Sequence, residues 1–336
     1  MLGFVVLSHR NPAQLSRLVT TLSRAYGSPP IACHHDFGQS ELDRSAFPAN
    51  VHFVEPHIKT AWAKWSVVRA GLEALRLLYE RANPTWFTLL GETDYPVRPA
   101  NEVIGDLSAN QADACLDYRP VRRSTTVAPD QIAANPALSY RASEGARACQ
   151  WRFYLGAQVW IPIIRTQEPD FRETKMGWRL GRYTVHLPFA APQTPFHKDF
   201  RCFSGDHWFS GNRRVANILL NPTEDHLRLR TYLRFRAIPE ECYYATVLGN
   251  DRSLRIDKNT KRFAEWQGGG AHPQWLTEND LPKMLASGSH FARKFMPNAS
   301  VLDELDRIVA VAPHRRAGRD ADRDEISALP QKRDAC

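Results

Sequence analysis

The amino-acid sequence predicts an α/β fold built on a mostly parallel sheet. Short apolar runs, such as residues 2–7 and 85–90, stop abruptly at polar residues, the pattern of strands buried on both faces. The stretches between them carry apolar residues at helical spacing. The connections are short, so helices and strands alternate along the chain.

Residues 2–7 form the first expected strand, ending at Ser8-His9-Arg10. Asn11-Pro12 then reads as a helix N-cap followed by proline at the first helical position, with Leu15, Leu18, Val19 and Leu22 on one face. Residues 30–35 form a second strand ending at Asp36, and residues 51–54 a third. Trp65, Val68, Leu72, Leu75 and Tyr79 share a helical stripe. Residues 85–90 form a fourth strand, running into Gly91-Glu92-Thr93-Asp94-Tyr95-Pro96. Ligands of open parallel sheets bind beyond the carboxyl ends of the strands, which is where Ser8-His9-Arg10, Asp36 and Glu92-Thr93-Asp94 fall.

Residues 110–200 are less regular, rich in Arg, Pro and aromatics, and are expected to hold loops that shape an acceptor site. Residues 203–209 and 215–220 read as strand then helix. The charge run Arg319-Asp320-Ala321-Asp322-Arg323-Asp324-Glu325 marks 313–336 as an expected disordered tail. The expected unit is a single domain over 1–312, with a nucleotide-binding half to about residue 110 and an acceptor half beyond it.

A chain of 336 residues can bury a sizeable core, and 43% hydrophobic and 24% charged residues are ordinary for a globular protein. A net charge of +8 favours anionic partners: nucleotide phosphates, an acidic polysaccharide or an anionic membrane surface. No zinc-finger, RNP-type or basic-helix pattern points to nucleic acid. The six cysteines form no CxxC pair and read as free thiols of a reducing compartment. The N-terminus has no basic leader region, and no apolar stretch approaches the ~18–20 residues of a membrane span. A cytoplasmic location, with peripheral contact at the inner face of a membrane, is the expectation.

Two motifs point to chemistry. Phe291-Ala292-Arg293-Lys294-Phe295 sets adjacent cations between aromatic anchors, and Pro239-Glu240-Glu241 sets paired carboxylates after a proline. A reaction that expels a nucleoside diphosphate needs positive charge for the leaving group and a carboxylate base for the attacking hydroxyl. Each motif alone has a plainer reading: acids at a helix N-terminus, or a basic pair on an amphipathic helix. Asp36 and Asp206 can be turn residues, and Trp62, Trp65 and Trp208 can pack in a core. His34 and His35 are neighbours on a strand and point to opposite faces, which disfavours a shared metal.

The motif order resembles that of the core-2/I-branching β-1,6-N-acetylglucosaminyltransferase and peptide O-xylosyltransferase family. The matching pieces are Leu7-Ser8-His9-Arg10, His34-His35-Asp36, Trp62-Ala63-Lys64-Trp65-Ser66, and 89–96 with its Gly91-Glu92-Thr93-Asp94-Tyr95-Pro96. Phe203-Ser204-Gly205-Asp206-His207-Trp208-Phe209 and the two motifs above complete the series. The resemblance implies a GT-A type, Rossmann-like glycosyltransferase fold. It also implies inverting transfer of GlcNAc or xylose from a UDP-sugar to a hydroxyl of a glycan or peptide, without cofactor or divalent metal. It makes Glu241 the base, and Arg293 and Lys294 the groups that stabilise departing UDP. Asp36 and Trp62 would hold the nucleotide, and Glu92, Asp94, Asp206 and Trp208 the donor and acceptor sugars.

One departure concerns an additional arginine that the branching enzymes carry ahead of the matching lysine. The region here reads Gly268-Gly269-Gly270-Ala271-His272-Pro273, closer to the xylosyltransferase-type members. Glu92-x-Asp94 also resembles the metal-holding acidic pair of many GT-A enzymes, a use this family does not make of it. The family's animal members have an N-terminal anchor and many disulfides, so this chain resembles a bacterial-type cytosolic member. The alternatives are a non-catalytic nucleotide-sugar or polysaccharide-binding protein on the same fold, and a metal-dependent phosphohydrolase using His34, Asp36, Glu92 and Asp94.

Overall fold

The computed structural model describes residues 1–121, 149, 152–154, 158–167, 177–186, 194–266 and 272–310. The chain begins with β1 (Leu2–Ser8), α1 (Pro12–Ala25), β2 (Ile31–His35), β3 (Val51–Phe53), α2 (Trp65–Arg81) and β4 (Trp86–Gly91). These match the expected elements to within a residue or two at their ends. β5 (Asp94–Pro96), α3 (Ala100–Ala109), β6 (Ala114–Cys115) and β7 (Tyr118–Pro120) follow. In the middle region β8 (Gln158–Gln167) and β9 (Gly177–His186) pair as an antiparallel ladder. Then come β10 (Phe203–Gly205), β11 (Ser210–Asn212), α4 (Arg213–Leu220), α5 (Glu224–Leu233) and α6 (Glu240–Asn250). The described chain ends through β12 (Ile256–Asp257), β13 (Arg262–Ala264), α7 (Leu281–Ala286), β14 (Phe291–Arg293) and α8 (Val301–Val309). The expected tail, 313–336, lies outside the described residues.

The main sheet has the order β12-β6-β11-β4-β1-β2-β3. Its β4-β1-β2-β3 half is parallel throughout, while β11 runs antiparallel to both β4 and β6. The sheet is therefore mostly parallel, as predicted. A second sheet, β13-β14-β5, pairs β14 antiparallel to β5, with Arg293 opposite Asp94.

Alternation along the strands divides two cores. Val5 and Leu89 point to a cluster with Val68, Leu75, Phe209 and Tyr244 from α2, β11's approach and α6. Phe4, Val6 and Leu90 point to the other, with Leu15, Leu18, Phe291 and Leu305. The helices thus cover both faces, as a parallel sheet requires. Both cores draw on chain from either side of residue 110. α2 and α6 approach so closely that a Cβ on Gly71 would sit 2.7 Å from the Tyr244 hydroxyl.

Two expectations need correction. The stretch 203–209 is not one strand. Asp206 Oδ1 accepts from the Trp208 amide at 3.1 Å, and this turn sends β10 to pair with β7 and β11 to pair with β4. Asn11 precedes α1 but makes no side-chain cap; Pro12 holds the expected first position. Arg293 ends β14, in register against β5, and Lys294 follows it, so the plainer reading of a basic pair on an amphipathic helix does not hold.

Candidate functional site

Glu92 organises the end of β1. Its Oε2 accepts from Ser8 Oγ at 2.6 Å and from the amides of His9, Arg10 and Asn11 at 3.0, 3.3 and 3.4 Å. A carboxylate fits this turn because the N-terminus of α1 is positive. The side chain is buried, so this oxygen binds the protein itself.

Asp36 closes β2 and is also buried. It accepts from the amide and hydroxyl of Thr60 at 2.6 and 2.9 Å, from Gln39 Nε2 at 2.7 Å and from the Gly38 amide at 3.1 Å. Burial alone would raise its pKa, but bonds from Gln39, Thr60 and Gly38 outweigh it and hold the carboxyl near about 2. Asp36 thereby clamps two loops that follow strand ends. His34 and His35 diverge as expected: His34 Nε2 accepts from the Ile58 amide, while His35 contacts Ser8 and Ser40.

Asp94 faces the second sheet. Arg262 donates to its Oδ2 at 2.8 Å, and Arg293 Nε lies 3.4 Å from its Oδ1. The side chains of Asp94 and Arg262 are 0% and 2% exposed, so this pair lies deep beneath the site. Arg293 is stacked above Trp208, 4.3 Å from the ring centroid. Trp208 in turn covers Gly91, where a Cβ would meet the indole at 3.0 Å. Burial raises the pKa of Asp206, opposed by Arg293 and the Trp208 amide. Beside it, burial and the two arginines push His207 down to about 3, so its ring is neutral; neither ring nitrogen has a partner among the described residues.

Lys294 extends from the same strand end onto the ring of Trp275, its Nζ 4.1 Å from the centroid. Burial, then Arg293, lowers its pKa. His272, close enough to feel both Lys294 and Arg293, packs edge-on against Trp62 at 5.6 Å between centroids. Trp62 is 66% exposed. It belongs to a loop that binds Asp36 through Thr60 and accepts from the Ile238 amide through the Ala63 carbonyl at 3.2 Å. Ala63 and Ile238 have φ of 58° and 53°, the left-handed region that side chains disfavour, so both turns here are held by their surroundings. One loop thus links the Asp36 end of the sheet to the turn before α6.

Glu240 and Glu241 open α6 after Pro239. They occupy its first turn, the position that the plainer reading of the motif describes as well. Glu241 Oε2 accepts from Arg152 at 2.6 Å. Burial raises the Glu241 pKa, Arg152 opposes it and Asp206 adds to it. Glu240 Oε2 is buried with no partner among the described residues, and burial, helped by Glu241, pushes its pKa up to about 7. The two neighbouring carboxyls therefore differ: one faces a cation, the other is disposed to keep its proton.

The fold gathers Asp206, Trp208, Glu241, Arg293, Lys294 and Trp62 into a continuous neighbourhood. Asp36 and Glu92 form a second group, joined to each other through His9, which senses both carboxylates. Asp94 lies beneath the first group. Arg152, Arg262 and Trp275 escaped sequence reasoning. Arg262 sits in Lys261-Arg262-Phe263 with no strand pattern to flag it, and Arg152 lies in the irregular middle region. Among the described residues no cluster of His, Cys, Asp and Glu is arranged to hold a metal ion, and no helix is long and apolar enough to cross a membrane.

Comparison with known proteins finds relatives for this chain. The Core-2/I-Branching enzyme family model matches residues 164–286, which include Asp206, Glu241 and Arg262. The chain is 32% identical over 266 residues to beta-glucuronosyltransferase GlcAT14A of Arabidopsis thaliana, covering 76% of this chain and 50% of that protein. It is 29% identical over 120 residues to beta-glucuronosyltransferase GlcAT14B of the same plant, covering 34% of this chain and 27% of that one. The chain thus spans half or less of the length of these curated relatives. With the mostly parallel α/β architecture, these matches make the chain similar to the core-2/I-branching enzyme family, whose model covers residues 164–286.

Proposed function

We propose that this protein is an inverting glycosyltransferase that moves a sugar from a UDP-sugar to a hydroxyl of a glycan or peptide acceptor. The observation that carries the reading is the succession Glu241, Asp206, Arg293, Lys294, in which each carboxylate or cation senses the next. A base stands at one end and an exposed-side cation at the other.

Glu241 takes the proton of the acceptor hydroxyl as its oxygen attacks the anomeric carbon. The bond from that carbon to the diphosphate breaks, and its electron pair leaves on the phosphate oxygen. Lys294 is placed to stabilise that charge, with Arg293 held behind it by Asp94 and Trp208. Trp62 and Trp275 offer flat faces to the base or sugars. Asp36 acts on the nucleotide through the loops it clamps, with the part of its acceptor capacity that these bonds leave. Glu92 and Asp94 shape the donor side from below, and no metal or other cofactor is required. The net charge of +8 supports an anionic acceptor or contact with an anionic membrane face.

The donor has two readings. GlcNAc or xylose follows from the motif series. Glucuronic acid follows from the names of the relatives. The test is UDP release and product formation with UDP-GlcNAc, UDP-xylose and UDP-glucuronic acid over an acceptor panel, with Glu241→Gln alongside. Glu241→Gln should lower turnover by about 10²–10⁴ while UDP still binds. Binding of UDP-sugars without turnover on any acceptor would support the binding-protein alternative, and near-normal turnover in Glu241→Gln would remove Glu241 as base.

A further inference from the structure

The ion pair between Arg152 and Glu241 has no place in the motif series. The two residues are 89 positions apart, yet Arg152 Nη1 donates to Glu241 Oε2 at 2.6 Å. Their side chains are 25% and 41% exposed, so the contact is neither a solvated surface pair nor a sealed one. It engages one oxygen of the Glu241 carboxylate.

We propose that Arg152 is a positioning residue for transfer: it fixes the Glu241 carboxylate in one orientation and makes Glu241, not its neighbour Glu240, the ionised member of the pair. This rests on the reading of Glu241 as the base.

Of the other groups near Glu241, Asp206 works against its charge, and Glu240 and Cys149 are disposed to stay neutral. Asp206, from the turn after β10, faces it with negative charge. Glu240 precedes it on the first turn of α6 and senses it directly. Cys149, whose thiol burial pushes up in pKa, lies close enough to feel both Arg152 and Glu241. Arg152 is the cation facing Glu241 among the described residues. Two carboxyls side by side do not ionise independently, and the one with the cation ionises first. Glu240 has an oxygen buried without a partner, so it is the member that holds the proton. The arrangement also constrains rotation. A carboxylate bonded through one oxygen to a guanidinium leaves the other oxygen free to accept from the acceptor hydroxyl.

The sign of the effect is definite. With Arg152 present, the Glu241 carboxyl loses its proton at lower pH than its burial would otherwise allow. Removing the guanidinium leaves burial and Asp206 unopposed, so the acidic limb of the rate profile moves to higher pH. Arg152→Gln should move the acidic limb of kcat/KM upward by about one pH unit or more, a tenfold loss on the acid side that shrinks as pH rises. Arg152→Lys keeps the charge and should leave the limb near its wild-type position, with a smaller, pH-independent fall in kcat from poorer orientation.

The experiment is a pH profile of kcat and kcat/KM for wild type, Arg152→Gln, Arg152→Lys and Glu241→Gln. It is accompanied by NMR titration of the isotope-labelled side-chain carboxyls in the first two proteins without substrate. An upward shift of both the kinetic limb and the Glu241 titration in Arg152→Gln, with rescue by lysine, is the expected result. An unmoved Glu241 titration in a folded Arg152→Gln overturns the proposal, as does a rise in acceptor KM alone. If Glu241→Gln keeps normal turnover, the base assignment has failed, while the NMR titration still reports on Arg152.

Discussion

Arg293 lies over the indole of Trp208, its guanidinium carbon 4.3 Å from the ring centroid. The same arginine reaches back to Asp94. Its charge is therefore fixed from two sides, by a carboxylate below and an aromatic face beside it. Trp208→Leu should release one of these restraints. A cation–π contact contributes about 0.5–2 kcal/mol, so UDP should bind about 2- to 30-fold more weakly. Calorimetric titration of UDP checks this; unchanged affinity in a folded variant would leave Trp208 as core packing over Gly91.

Lys294 is the cation of the pair without a carboxylate contact among the described salt bridges; its neighbour is the ring of Trp275. Lys294→Ala should weaken UDP binding by about 1.5–3 kcal/mol, the contribution of a hydrogen bond to a charged group. Uridine, lacking phosphates, should bind almost as before. Turnover should fall further than UDP affinity, because charge on the leaving oxygen grows in the transition state. Lys294→Arg should recover part of the loss. Equal weakening of uridine and UDP would mean damage to the fold.

Transfer should continue in EDTA. Glu92 already accepts a hydroxyl and three amides, and Asp94 meets two guanidinium groups. Neither is placed to exchange those partners for a divalent cation. Activity that chelation abolishes and Mn²⁺ or Mg²⁺ restores would make both residues ligands.

Stability should depend on pH through Glu240. Its folded pKa, about 7, lies above the ordinary carboxyl value because burial and Glu241 disfavour its charge. The folded state therefore retains this proton after the unfolded chain has lost it. This contribution is complete below the unfolded carboxyl range, declines as pH rises, and is gone above pH about 7. Glu240→Gln mimics the neutral acid and should flatten that part of the profile, raising Tm relative to wild type near pH 8, a value chosen about one unit above the transition. Thermal melts of both proteins from acid to mildly alkaline pH provide the comparison. Parallel profiles would show that Glu240 ionises freely in the fold.

The first half of the sheet was legible because its code is local. Leu15, Leu18, Val19 and Leu22 recur on one face of α1 and are all fully buried. The strand runs were apolar enough to declare themselves. β11 was not legible: three residues, Ser210–Asn212, are too few for a period, and their antiparallel place beside β4 depends on tertiary packing. Glu241 and Lys294 could be singled out because each sits in a short motif. Arg152 and Arg262 could not, because their meaning lies in partners distant in sequence. The Arg262–Asp94 contact spans 168 residues and exists only because β13-β14-β5 forms a sheet.

α8 carries a consequence for how this protein is made. Asp306 accepts from Tyr95 and Thr21, and Arg17 on α1 donates to Asp303 and Asp306. Leu302 and Leu305 complete the core that holds Phe4 and Leu15. β1 and α1 leave the ribosome well before α8 and find these partners only when it emerges. Until then their apolar faces lack a wall that belongs to the finished domain. Such long-range closure is slow and leaves hydrophobic surface open to association during synthesis. The last described helix therefore sets when the first strand and helix can close their core.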